Sequence, residues 1–142
     1  MELPVVSDEL REAYLSTHFH VLGPSLFTLR IGEPSQKIAS LYLDHKVSSA
    51  AFLTAWNPYS ELTAQRVNER AQRQLEKKLN ELSITVFPGV GEDVSGKWLG
   101  EQSALALGIS LNVAKWVGKE FRQNAIVWIG ADYIPELIFL QD

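Results

Sequence analysis

Residues 51–60 read AFLTAWNPYS, and this stretch decides the fold class. Ala51 to Trp56 is a short, nearly continuous apolar run that Asn57-Pro58 ends abruptly, the composition of a strand buried on both faces. Such a strand belongs inside a sheet that carries further layers above and below it. The stretch runs directly into the clearest helical pattern in the chain, Leu62 to Leu82. There Val67, Ala71, Leu75, Leu79 and Leu82 recur at spacings of three and four, and Ser60 is placed to cap the free N–H groups, with Thr63 near the third helical position.

Working outward, Ser83 to Phe87 reads as a strand ended by Pro88-Gly89, and Gly89 to Gly100 (GVGEDVSGKWLG), with four glycines, as a mobile loop outside the core. Ala104 to Ile109 is a strand, Leu111 to Phe121 a helix that Ser110 can cap, and Ala125 to Ile129 a strand. The turn Gly130-Ala131-Asp132 then leads to Ile134–Leu140 as its hairpin partner. Upstream, residues 8–20 read as a short helix with Ser7 or Asp8 at its cap, and Ser25 to Ile31 as a strand stopped by Gly32 and Pro34. The spacing of Ile38, Leu41 and Tyr42 favours a helix over a second strand for residues 35–43, with Ser35 as cap. Strands alternate with helices early and pair as a hairpin late. The expected fold is α+β: a mixed, partly antiparallel sheet packed with two or three main helices, one domain over residues 1–142 with an α/β core over 25–142.

Composition narrows the function classes. A chain of 142 residues buries about two-thirds of its extended surface on folding, enough for a core without staples. Thirteen Lys plus Arg stand against seventeen Asp plus Glu, a formal charge of -4, and no window holds a dense basic cluster. Nucleic-acid binding, whose affinity rests on neutralising phosphates, is therefore not expected. Cysteine is absent, so thiolate nucleophiles and Cys-bound metals are excluded. Glu2, Asp8 and Glu9 stand where a signal peptide carries positive charge, and no apolar stretch approaches the length of a membrane span. A soluble cytoplasmic protein without membrane association is expected.

Three blocks carry the polar side chains suited to a site. Thr54 to Ser60 lies at the carboxyl end of the buried strand, where open sheets place ligands. Proline following Asn57 pushes that residue's backbone out of the α region, which frees its amide to close a turn or to bind a ligand. Asn68 sits beside the apolar stripe of the long helix; a buried amide needs partners, and this one is placed to reach back and brace the Asn57 loop. The second block, Lys97 to Ser103, sets Trp98 beside glycines as an aromatic lid, with Glu101 and Ser103 on one side of a strand if the strand has begun there. In the third, Gln123 and Asn124 join a helix to a strand, and Asn124 suits a left-handed helix end. Ala114 and Gly118, four apart, form a smooth strip for close helix–sheet packing.

Recognised phosphate and nucleotide motifs are missing: neither GxxxxGK[ST] nor GxGxxG occurs, and no GxSxG marks a nucleophile elbow. His18 and His20 share parity near the end of the first helix, and Glu92-Asp93 reads as a solvated turn. No metal and no cofactor is expected.

In these blocks the chain resembles the bacterial domain-of-unknown-function family DUF3293. The resemblance lies in Phe52-Leu53-Thr54-Ala55-Trp56-Asn57-Pro58 with Ser60, in Asn68, and in Trp98 with Glu101 and Ser103 before Leu107-Gly108-Ile109. It continues in Phe121 with Gln123 to Trp128; Arg122 stands where the pattern leads one to expect a small residue such as glycine. It covers the chain from about Ser25 onward and implies one intact bacterial domain, with no activity to carry across.

Two classes of function follow. One is a site for a small polar molecule formed by Asn57, Ser60, Asn68, Trp98, Glu101, Ser103, Gln123 and Asn124. In it Glu101 is the only strong acid or base, and so the candidate general acid/base of a small hydrolase or transferase. The other is a structural module or a surface for a protein partner. Amides supply donors and acceptors but no usable pKa, so recognition ranks ahead of catalysis. With more donors than dry surroundings in view, Glu101 is expected to be ionised at neutral pH.

Overall fold

The computed structural model describes residues 7–94 and 100–140. Among them are helices α1 (Asp8–Ser16), α2 (Gln36–His45), α3 (Gln65–Glu81) and α4 (Leu111–Glu120). The strands are β1 (His18–Val21), β2 (Phe27–Leu29), β3 (Ala50–Leu53), β4 (Thr85–Glu92), β5 (Glu101–Leu107), β6 (Ala125–Ile129) and β7 (Pro135–Phe139). The seven strands form one sheet in the order β2-β1-β4-β5-β3-β6-β7, and each neighbouring pair is antiparallel.

The α+β class stands, while the mixed sheet and the helix count are corrected: the pairing is antiparallel throughout, and four helices accompany it. The alternation of strand and helix is real, but no two parallel strands touch. β3 and β4 run the same way across α3 with β5 inserted between them, and β5 and β6 run the same way across α4 with β3 between. Residues 50–129 thus form two interlocked split βαβ units, the ferredoxin-like arrangement, extended by β1 and β2 at one edge and β7 at the other.

Alternation along the central strands sorts two cores. Ala50 and Phe52, Leu105 and Leu107, and Val127 and Ile129 face α2 through Ile38, Leu41 and Tyr42. Ala51, Leu53, Ala104, Ala106 and Ile126 face α3 and α4 through Leu75, Leu79, Ala114 and Val117. β3 is buried at all four positions, as the apolar run required. The small alanines on the second face let the helices approach closely. A Cβ on Gly118 would stand 2.7 Å from Ile126 Cγ2 and 2.6 Å from Leu140 Cδ1, so the smooth strip on α4 is used.

On the first face the sheet curls into a half-barrel. The loop after β2 bonds the approach to β7 at the opposite edge, Gly32 N–H to the Pro135 carbonyl and Ser35 N–H to that of Tyr133, both at 2.9 Å.

Several boundaries differ from the sequence reading for identifiable reasons. Residues 18–21 are strand, not the last turn of α1, because Phe19 and Val21 are buried while His18 and His20 face outward. β4 continues through Pro88-Gly89 to Glu92, so the glycine-rich stretch starts as sheet. Pro88 is tolerated because its carbonyl accepts from Leu22 N–H, which puts its missing donor on the side of β1's end and away from β5. α3 begins at Gln65 with Ala64, which gives no side-chain cap, at its N-cap. Its buried face is Asn68, Gln72, Leu75 and Leu79, while Val67 and Leu82 are exposed. The expected caps Ser7, Ser35 and Ser110 each accept from a backbone N–H three residues on.

Candidate functional site

The turn between β3 and α3 holds three non-glycine residues in the left-handed region, Asn57 (φ 46), Tyr59 (φ 55) and Ser60 (φ 62). Proline excludes the right-handed helical region for Asn57, and asparagine tolerates the left-handed one. Each such residue costs of order 1–2 kcal/mol, so the loop persists only because its surroundings over-determine it.

The first restraint is a reciprocal pair of amides. Asn57 N–H donates to Asn68 Oδ1 at 2.8 Å, and Asn68 Nδ2 donates to Asn57 Oδ1 at 2.8 Å and to the Thr63 carbonyl at 3.1 Å. Thr63 N–H also donates to Asn57 Oδ1 at 3.0 Å. With Asn57 Oδ1 claimed by two donors, its Nδ2 points the other way and donates to Glu101 Oε1 at 3.1 Å. Asn68 is thus the buried brace expected from its place beside the stripe. Gln72, one turn further on, repeats the device by accepting from Ala55 N–H at 3.2 Å.

The second restraint joins the third block to the first. Tyr59 N–H donates to the Arg122 carbonyl at 2.7 Å, and Gln123 Nε2 donates to the Trp56 carbonyl at 3.3 Å. Ser60 does not cap α3. Its Oγ accepts from Asn124 Nδ2 at 3.0 Å and shares a 3.2 Å hydrogen bond with the Tyr14 hydroxyl. The left-handed end of α4 is Arg122 (φ 59), not Asn124. Arg122 N–H bonds the Lys119 carbonyl and Gln123 N–H that of Gly118, closing the helix by the two hydrogen bonds usual at a left-handed end, here without glycine.

Glu101 opens β5, and with Ser103 it lines a cavity of about 60 Å³ on the concave face whose walls include Tyr14, Phe19, Phe52 and Val127. That volume holds a few waters or a chemical group of similar size. Burial pushes the Glu101 carboxyl up to about 7, and the Asn57 hydrogen bond only partly opposes it. The expectation of an ionised Glu101 is corrected: one amide donor does not offset the lost hydration, and near neutral pH the group is shared between acid and carboxylate. Tyr14 is likewise pushed up, first by burial and also by the Glu101 charge, against its hydrogen bonds to Ser60 and Asn124.

Of the predicted residues, Asn57, Asn68 and Glu101 form one hydrogen-bonded chain, and Ser60 with Asn124 forms a second that Tyr14 joins to the cavity. Ser103 lines the cavity, and Gln123 holds the loop from behind. Trp98 lies outside the described residues. Sequence reasoning missed Tyr14, Thr63 and Gln72. Gln72 was findable, four residues after Asn68 on the same helix face; Tyr14 carries no local signal, because α1 reaches the site only through the tertiary fold.

These features define an antiparallel α+β domain with a braced polar loop and an enclosed carboxyl at the end of its central strands. The chain belongs to the family described as a protein of unknown function, DUF3293, which matches residues 53–126, more than half of its length. The match starts at the end of β3 and ends in β6, and so contains every one of these polar residues except Tyr14. No curated protein and no solved structure matches the chain. Among the described residues, no helix is long and apolar enough to cross a membrane.

Proposed function

We propose that this chain binds a small polar molecule at the concave face, with Glu101 as the anchoring group. The observation that carries the reading is the state of that carboxyl. Oε1 is fixed by Asn57, Oε2 has no hydrogen-bond partner among the described residues, and the group borders a cavity large enough for a polar fragment. The matching ligand presents a hydrogen-bond donor, an amine or a hydroxyl, to Glu101 and a short apolar portion to Phe19 and Phe52. The strained turn supports the same reading, since three left-handed residues held by cross-links from α3, β5, the turn after α4 and α1 are a costly way merely to connect a strand to a helix.

A second reading is favoured by the Glu101 pKa: a carboxyl that titrates near neutral pH is matched to general acid/base work, with Tyr14 beside it. Native mass spectrometry of the chain isolated from its own cells tests both. A small co-isolated mass on the wild type, absent from a cavity-filling Ala125→Leu variant, supports binding. If Glu101→Gln retains that molecule unchanged while the wild type converts it, the enzyme reading replaces the recognition reading. A co-isolated polypeptide that ignores Ala125→Leu supports a protein-interaction module instead.

A further inference from the structure

β1 presents a second chemistry on the side away from the cavity. Phe19 and Val21 enter the core, so His18 and His20, at alternate positions, stand together on the outer face. The antiparallel register sets Glu92 of β4 directly opposite His18, and one ligand atom from each of the three side chains lies within 4.8 Å of the others. We propose that His18, His20 and Glu92 bind a divalent transition-metal ion of the zinc class.

His20 is already oriented for this role. Its Nδ1 bonds Thr28 Oγ1 on β2 at 2.8 Å, and its Nε2 stands 3.2 Å from Glu92 Oε1. Metal-bound imidazoles generally donate their other ring N–H to an oxygen, which fixes the tautomer and aims the free lone pair at the ion. Thr28 supplies that oxygen. Ligands at about 2.0–2.2 Å from a tetrahedral zinc ion stand roughly 3.3 Å apart, which the His20–Glu92 separation already meets. The His18 ring, edge-on to His20 with centroids 6.0 Å apart, has no hydrogen-bond partner among the described residues and is free to close the remaining distance by side-chain rotation. Two imidazoles and one carboxylate select zinc, cobalt or nickel over magnesium or calcium, which prefer all-oxygen shells. His20 and Glu92 are partly open to solvent, so an ion reaches the site without unfolding, and water completes its shell.

The test is calorimetric titration of the untagged, chelator-treated chain with Zn²⁺ at neutral pH, together with the absorption spectrum of the Co²⁺ form. One ion per chain is expected. His20→Gln and Glu92→Gln should each weaken affinity by about tenfold or more, Thr28→Val should weaken it by about tenfold, and His45→Gln should leave it unchanged. The Co²⁺ spectrum should report nitrogen and oxygen ligands and should change in His18→Gln. Absence of saturable one-to-one binding overturns the proposal, as does binding that either His20→Gln or Glu92→Gln weakens less than tenfold. Circular dichroism of each variant, whose altered side chain reaches solvent, confirms that any loss is not unfolding.

Discussion

Phe19 and Phe52 meet edge to face with ring centroids 5.3 Å apart, although β4 and β5 lie between the strands that carry them. Only a strongly curled sheet allows this, and the curl encloses the cavity beside Glu101. Gly89 makes room for it: a Cβ there would stand 2.7 Å from Phe52 Cε2 and 2.9 Å from the His20 carbonyl oxygen. The ring can turn aside, but the carbonyl belongs to a paired strand and cannot.

Gly89→Ala should therefore destabilise the fold by about 2–3 kcal/mol, the range for overpacking a closed site, despite alanine's better strand propensity. Urea unfolding followed by tryptophan fluorescence measures it. A midpoint at or above that of the wild type would show that the strands separate easily and that the curl does not depend on this contact.

Asn68 is 2% exposed, and both ends of its amide are engaged within the Asn57 loop. Asn68→Ala should cost about 2–3 kcal/mol, since it leaves buried donors and acceptors without partners while gaining only a few tenths from helix propensity. Asn68→Asp keeps the acceptor for Asn57 N–H but replaces the donor facing Asn57 Oδ1 with an anionic oxygen. It should be at least as damaging near neutral pH. Denaturant midpoints for both variants, with unchanged slopes, check the pair.

Much of this was legible before the structure, and the failures share a cause. Ser7, Ser35 and Ser110 announced their helices because capping is a matter of three consecutive residues, and β6 was readable from its β-branched run. Asn68 was readable as a brace because helical periodicity places it beside leucines. The insertion of β5 between β3 and β4 was not readable, since it depends on which distant strand wins a hydrogen-bonded edge, and a wholly antiparallel sheet resulted where a mixed one was expected. His18 and His20 looked like a helix end because a four-residue alternation is too short to outweigh the helical pattern before it. Burial misled at Val67 and Leu82, which face solvent, and at Glu101, which the curled sheet encloses beside Tyr14, Phe19 and Phe52.

Ser83 follows α3 in the left-handed region (φ 60), with its N–H on the Asn80 carbonyl and the next N–H on that of Leu79. It is exposed, so nothing but backbone geometry is at stake there. Ser83→Gly should stabilise the chain by about 0.5–1 kcal/mol, because the relief of left-handed strain exceeds glycine's extra freedom in the unfolded chain. Ser83→Val should do the reverse by a similar amount or more. Thermal unfolding of the two variants beside the wild type provides the comparison, and a lower midpoint for the glycine variant would contradict the assigned backbone.

The pH dependence of stability should report Glu101 directly. Its folded pKa of about 7 lies above the ordinary value of 4.5, so the folded state holds this proton more tightly than the unfolded state does. The group's contribution is then fully favourable below about pH 4.5 and is lost as pH rises through 7; above that it stays at its unfavourable limit. The span corresponds to about 3 kcal/mol. Glu101→Gln keeps an oxygen for Asn57 Nδ2 but carries no charge, so it should remove this dependence. Unfolding free energies of wild type and variant should nearly coincide near pH 4 and diverge with rising pH. The variant should be the more stable by about 2–3 kcal/mol above pH 7. The difference between the two curves isolates Glu101 from every other titrating group. A flat difference, or a variant less stable at every pH, would mean that the carboxylate is well solvated in the folded chain, and the enclosed, half-protonated anchor would have to be abandoned.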